Sequence, residues 1–293
     1  MWMFQDKLHP TLQRDPAWEH SHTTGDGRSI NAVNDKHREF FTRYLREQLG
    51  DRDDLIGKSL PDYPPYGKRM LLDCDWFSTL RRDDVSLVTS GGVAAIDGST
   101  VVTDDGGRHD VDVLVFATGF SARRMLHPPL DIRGRSGASL REQWGDDDAW
   151  AHLGIEVPPD FPPNLFLMYG PNTNLGHGGS TMFHAECQVH YVVELLREMV
   201  AADVAAVEVR RDVTEDYVAR VDAAHENMIW THPGMSTWYR NAAGRVVTNS
   251  PWKLVDYWTM TRRPSLAEHV VTSRQQSSSR QSSSRQSSSK GVA

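Results

Sequence analysis

Asp110-Val111-Asp112-Val113-Leu114-Val115-Phe116-Ala117-Thr118-Gly119-Phe120 decides the fold. Four consecutive apolar residues, Val113 to Phe116, read as a strand buried on both faces of a sheet, because a half-buried strand would alternate. Ala117, Thr118 and Gly119 behind it are small enough for a second chain segment or a bound molecule to approach the backbone closely. Turn chemistry alone leaves another reading open, in which Ala-Thr-Gly simply ends a core strand.

Upstream, apolar runs at 85–89, 93–96, 100–103 and 111–116 are separated by Gly-Gly, Asp-Gly and Asp-Asp-Gly-Gly turns, which predicts a β-meander feeding that strand. Before it, residues 60–73 hold three prolines and two tyrosines in the order Pro61, Tyr63, Pro64, Pro65 and Tyr66, then the cations Lys68 and Arg69, then an apolar run. Prolines fix the path of a backbone that must hold a charge in one place, although two adjacent cations are equally at home on a surface. Earlier still, Val33, His37, Phe40, Phe41, Tyr44, Leu45 and Leu49 recur at helical spacing over 31–49, with Gly50 placed as a C-terminal cap. His9, His20, His22 and His37 match no compact metal-ligand spacing, so they read as surface or capping residues and no metal is expected.

Downstream, residues 163–179 run from an apolar stretch into Gly170-Pro171-Asn172-Thr173-Asn174-Leu175-Gly176-His177-Gly178-Gly179 and then into a predicted helix at 180–202. A strand, a Gly/Pro/Asn loop and a helix in that order aim backbone N–H groups at an electron-rich ligand. Met182, Ala185, Val189, Val192, Val193, Leu196 and Met199 are the expected core face of the helix, while His177, His184 and His190 read as structural. A strand at 206–210 and a helix opened by Asp212, with Glu215 three residues on, complete the regular elements.

The chain has 293 residues, 39% hydrophobic and 24% charged, an ordinary globular composition with enough length for one or two domains. It lacks an apolar run long enough to span a bilayer, and Met1 to Phe4 is too short for a signal-peptide core, so a cytoplasmic address is expected. Cys74 and Cys187 stand far apart and both read as small buried hydrophobes. Net charge is −7, and residues 273–293 carry Arg274, Arg280, Arg285 and Lys290 without an acid, which makes the remaining body more acidic still. That balance argues against nucleic acid as the main partner. The Ser/Gln/Arg repeat of the tail has too little apolar surface to order itself.

Four of these segments, in this order, resemble one family: Lys68 to Phe77 (KRMLLDCDWF), Val111 to Phe120 (VDVLVFATGF), Asn164 to Gly179 (NLFLMYGPNTNLGHGG) and Thr237 to Trp258 (TWYRNAAGRVVTNSPWKLVDYW). Together they resemble the Baeyer–Villiger branch of the flavin-containing monooxygenases, most nearly the 4-hydroxyacetophenone monooxygenase type. Flavin disulfide reductases share Ala-Thr-Gly but need a redox Cys pair, which this chain lacks. The resemblance implies an α/β flavoprotein with two dinucleotide-binding, Rossmann-like domains for FAD and NADPH, a parallel sheet plus meander, and a helical insertion. It implies a reaction in which O2, FAD and NADPH insert one oxygen next to an aryl ketone carbonyl by way of a flavin C4a-peroxide. Arg69 falls on the family's catalytic arginine, which would stabilise that anion. Lys68 would contact the NADPH phosphate and Trp238 the nicotinamide end. Gly170 and Pro171 open the cofactor-binding loop whose Thr173, Asn174 and Leu175 would lie against the flavin, and Ala117, Thr118 and Gly119 mark the hinge between the two domains.

The match also has a gap. The family's G-x-G-x-x-G turns, which cradle pyrophosphate at a helix N-terminus, do not occur in the sequence. The expected organisation is therefore a C-terminal portion: 1–62 a remnant of the helical insertion, 63–116 the rest of the NADPH domain, 117–270 the rest of the FAD domain, and 271–293 the tail. Two functional readings follow. In one the chain works with a separately encoded N-terminal half and is inactive alone; in the other it is a non-catalytic remnant or subunit.

Overall fold

The computed structural model describes residues 6–21, 28–145 and 147–274 and divides into two compact units. Met1 to Phe4, His22 and the tail from residue 275 onward lie outside the described residues.

One unit comprises residues 18–65 and 70–121. Its helix α1 (Ala32–Leu49) starts where Asn31 Oδ1 accepts the N–H groups of Val33 at 3.0 Å and Asn34 at 2.8 Å. It ends at Gly50, which takes φ +61° and donates its N–H to Arg46 O at 2.8 Å, a conformation that favours glycine. With α2 (Asp53–Ser59) and α3 (Trp76–Leu80) it closes a small core of Leu45, Leu49, Leu55, Ile56 and Leu80. The apolar face predicted for α1 is rotated relative to the observed one. Val33, Phe40 and Tyr44 are exposed, while Asn34 is buried with its Nδ2 donating to Pro65 O at 3.0 Å.

The predicted meander is present as three antiparallel strands in the order β1 (Val93–Asp97), β2 (Thr100–Thr103) and β3 (Arg108–Asp110). Two expected strands are not formed. Residues 85–89 are irregular, and so are residues 111–116, where Val111 donates its N–H to Ser99 O at 2.9 Å and the ladder then stops. Instead of being buried on both faces, Val113 is 77%, Val115 78% and Phe116 70% exposed. A strand of this composition needs neighbours on both edges and cover on both faces, and the described residues supply neither. Among the named strands every pairing is antiparallel, so the expected parallel sheet is also absent from the described residues. Cys74, read as buried, is exposed; Cys187 is buried.

The other unit comprises residues up to Ala17, residues 66–69, and the chain from Ala122 on. Its elements are α4 (Leu140–Gln143), α5 (Thr181–Ala201), β4 (Val204–Val209), α6 (Arg211–His225), α7 (Leu254–Thr261) and β5 (His269–Ser273). β4 and β5 pair antiparallel, with Val209 opposite His269 and Val204 opposite Ser273, so the ordered body continues beyond the boundary at 270 read from sequence. One core packs Leu153, Ile155, Tyr191, Leu195, Met199, Val207, Tyr217 and Val221; a second gathers Leu126, Leu140, Trp144, Val157 and Phe161. The stretch 163–168 is not the buried strand expected. Asn164, at φ +60°, fastens it to β4 by accepting from Val207 N at 3.0 Å and donating Nδ2 to Ala205 O at 3.1 Å. Asp212 and Glu215 do not open α6; Arg210 is its N-cap.

The first described residues belong to this unit as well. Asp6 caps α7 from a distance, its carboxylate accepting Leu254 N at 2.8 Å and Val255 N at 3.3 Å. Arg14 donates its N–H to Asn227 O at 2.7 Å. His9, read as a surface residue, is buried with Nε2 at 2.9 Å from Pro251 O.

Candidate active site

The Gly170–Gly179 loop is built from local polarity. Thr173 Oγ1 donates to Gly170 O at 2.7 Å, closing the first turn, and Thr173 is fully buried. Asn172 Nδ2 donates to Val246 O at 2.8 Å and to Asn249 O at 3.3 Å. Asn174 N donates to Thr248 O and Ser250 N to Asn174 O, both at 2.9 Å, so the loop runs beside residues 246–250 as a short parallel ladder. Asn174 Nδ2 donates to Asn249 Oδ1 at 2.5 Å. Behind the ladder a Cβ on Gly176 would meet Trp230 Cζ2 at 2.5 Å and Asn249 Nδ2 at 2.6 Å, so the backbone approaches that closely only because the residue is glycine.

Two histidines hold the loop from below. His184 Nδ1 donates to Thr173 O at 2.9 Å and stacks on Tyr257 at 4.3 Å; His225 Nε2 donates to Asn249 O at 3.1 Å. Burial lowers the pKa of His184 to about 4 and that of His225 to about 3, so both are neutral donors near neutral pH.

Arg69 is fixed to this loop. Its Nη1 donates to Leu175 O at 2.5 Å, a charge-assisted bond, while the residue as a whole stays exposed. Leu175 also donates its N–H to Tyr169 Oη at 3.3 Å, and that hydroxyl donates to Asn174 Oδ1 at 3.1 Å. Tyr169 itself sits in the left-handed region at φ +57°. Burial raises the pKa of Tyr169, with the Leu175 N–H and the Arg69 charge pulling the other way. Tyr239, fully buried, is pushed by burial up to about 12, with the Arg69 charge pulling the other way. Trp238 is 42% exposed beside it, ring to ring at 4.5 Å.

Of the residues picked out from sequence, Lys68, Arg69, Gly170, Pro171, Thr173, Asn174, Leu175 and Trp238 therefore lie in one unit, with Arg69 bonded to the loop itself. Ala117, Thr118 and Gly119 lie in the other unit and are exposed. Gly170, Pro171, Thr173 and Leu175 are buried and serve the loop's own bonding, whereas Arg69, Asn174 and Trp238 keep accessible surface. The set fits an anionic, planar ligand in part: a fixed guanidinium, a side-chain amide and an indole are available, and the buried hydroxyl of Tyr239 has no hydrogen-bond partner.

No protein-family model matches the chain. It is 44% identical over 268 residues to an uncharacterized monooxygenase of Sinorhizobium fredii, covering 92% of this chain and 39% of that protein. It is 33% identical over 221 residues to a Baeyer–Villiger monooxygenase of Streptomyces coelicolor, covering 74% of this chain and 41% of that one. In three dimensions it superposes on an oxidized steroid monooxygenase bound to NADP with a TM-score of 0.71 at 25% identity, over 90% of this chain and 47% of that structure. The chain is thus similar to proteins named Baeyer–Villiger monooxygenase and to one named FAD-binding monooxygenase. It spans about two fifths of the length of these curated relatives.

The similarity to Baeyer–Villiger monooxygenases agrees with the family expected from the four motifs. Tyr169, Tyr239, Asn249, His184 and His225 were not singled out as functional from the sequence. Tyr169 and Asn249 lie inside two of those motifs, and the Asn-Ser-Pro at Asn249 to Pro251 was the signal available, since such a triplet marks a turn whose polar groups need partners. The two histidines left no signal beyond their place on helix faces.

Proposed function

We propose that this chain is part of an FAD- and NADPH-dependent monooxygenase of the Baeyer–Villiger type, which inserts one atom of O2 beside a ketone carbonyl, with an aryl ketone as the substrate class. The observation that carries this reading is the Arg69 guanidinium clamped at 2.5 Å to the carbonyl of Leu175 on a rigid loop. Reduced flavin, when bound, supplies the electrons that activate O2. Arg69 holds a fixed positive charge where negative charge collects, and the carbonyl clamp keeps its reorganisation cost small. Asn174 offers its amide at the rim of the loop, Trp238 an indole face for the nicotinamide end, and Lys68 a cation for the NADPH phosphate. Gly170, Pro171, Thr173 and Leu175 give the loop its shape. Ala117, Thr118 and Gly119 serve as the hinge segment.

The reading includes a further polypeptide, equivalent to an N-terminal half, that completes both dinucleotide sites; what supports it is the exposed apolar run Val113 to Phe116. The first test is the visible spectrum of the purified chain after incubation with FAD and desalting. A colourless protein is expected, and stoichiometric retained flavin would overturn the need for a second polypeptide. With that polypeptide supplied, Arg69→Ala is expected to keep most NADPH oxidation and lose ester formation. Oxygenation retained in that variant would remove Arg69 from the reaction.

A further inference from the structure

Gln188 is fully buried on α5, and a side-chain amide taken out of water costs free energy unless its oxygen and its nitrogen both find partners. Both do. Its Oε1 accepts the Tyr169 N–H at 2.8 Å and its Nε2 donates to Tyr257 Oη at 3.0 Å. Which end of the amide faces which partner is fixed from α7. Tyr257 donates its single hydroxyl proton to Leu153 O at 2.8 Å, so toward Gln188 its oxygen accepts. The amide nitrogen must therefore lie there, and the amide oxygen is left facing Tyr169. Packing alone does not ask for this residue, because a methionine of similar volume would fill the space without polar atoms.

The preceding turn of the helix holds the other end of the same loop. His184, four residues earlier and on the same face, donates from Nδ1 to Thr173 O at 2.9 Å with its ring stacked on Tyr257. α5 thus grips the chain at residues 169 and 173, and a path to Arg69 starts from the first of them. Gln188 holds the backbone of Tyr169; the Tyr169 hydroxyl accepts the Leu175 N–H at 3.3 Å; Leu175 O accepts from Arg69 Nη1 at 2.5 Å. We propose that Gln188 is a positioning residue for Arg69, acting through Tyr169 and Leu175 to fix where the guanidinium stands before any ligand arrives. The inference rests on the role given to Arg69 above.

The test is the guanidinium NMR spectrum of the full 293-residue chain labelled with 15N-arginine, the Arg69 signals being assigned by their loss in Arg69→Lys. A clamped guanidinium rotates slowly and shows separate Nη signals, whereas a free one shows their average. Arg245, held in the same unit by Asp222 at 2.9 Å and Asp148 at 3.0 Å, is the internal reference. In Gln188→Met, Arg69 is expected to lose its separate signals while Arg245 keeps them. In Gln188→Glu, which retains an oxygen for the Tyr169 N–H, Arg69 is expected to recover them. Separate Arg69 signals in a folded Gln188→Met chain overturn the proposal, as does loss at both arginines or a Gln188→Glu chain that fails to recover. Should Gln188→Met not fold by circular dichroism, Gln188→Asn takes its place with the same outcomes, since it keeps an amide one carbon short of Tyr169. These signals need neither flavin nor a second polypeptide, so oxygenation retained in Arg69→Ala would remove Arg69 from the reaction and leave the Gln188 result standing.

Discussion

Tyr169 carries more of the site than its place in the sequence suggests. One hydroxyl receives the Leu175 N–H and donates to Asn174, and the carbonyl of the same residue holds Arg69. Tyr169→Phe is expected to cost about 1 kcal/mol of stability, the usual worth of a part-buried hydrogen bond, and to free the guanidinium. Urea unfolding checks the first effect, and an unchanged midpoint would mean the hydroxyl is idle. A second residue-scale device lies apart from the loop. His269 Nε2 donates to buried Glu156 at 2.7 Å, and Tyr191 donates to the same carboxylate at 2.9 Å. Burial alone would lower the pKa of His269, but the Glu156 hydrogen bond and charge outweigh it and hold it above the ordinary value. A raised folded value adds stability at low pH that is lost as pH climbs through it. His152, at about 4, and His184 and His225 are depressed by burial, so they add stability that drains away as pH falls below about 6.5. The melting temperature is therefore expected to peak near neutrality. His269→Gln should lower it more at pH 6 than at pH 9, and an equal loss at both would show that the pair carries no charge.

Among the elements, those with local punctuation were legible and those defined by distant partners were not. Asn31 and Gly50 bracket α1 as the sequence predicts, because both caps act on the nearest turn. α5 was legible in extent but not in orientation: Val189, Val193 and Leu196 were expected inside and are exposed, since a helix apolar on two sides has no unique inward face until its neighbours are known. α7 had no readable start at all, because its cap is Asp6. Asp6→Ala should cost about 1 kcal/mol, the usual worth of an N-cap, and differential protection of the first turn of α7 in hydrogen exchange would locate the loss there. An unaltered turn would mean that Lys253 and solvent suffice.

For the molecule as a whole, the motifs led to a family and the composition to a globular protein, while the sheet they implied is not closed within the described residues. Val113 to Phe116 was the strongest strand signal in the chain and is the clearest departure from expectation, because burial on two faces is a property of neighbours and not of the run itself. Backbone amides of residues 113–120 are expected to exchange within the dead time of a manual experiment, while those of α5 and β4 are protected. Protection of 113–120 in the isolated chain would mean that the run has found a partner in solution.

The reach of Asp6 and Arg14 to residues 227–255 also bears on how the protein is made. A ribosome releases residues 6–14 well before residues 227–255, so these contacts of the larger unit stay unsatisfied until the later segment emerges. Residues 18–65 and 70–121 need nothing downstream for their small core and can settle while the rest is still being added. Translation is thus expected to yield the smaller unit early and the larger one only once residues 227–255 have emerged, a sequence of events that pulse proteolysis of stalled nascent chains would display.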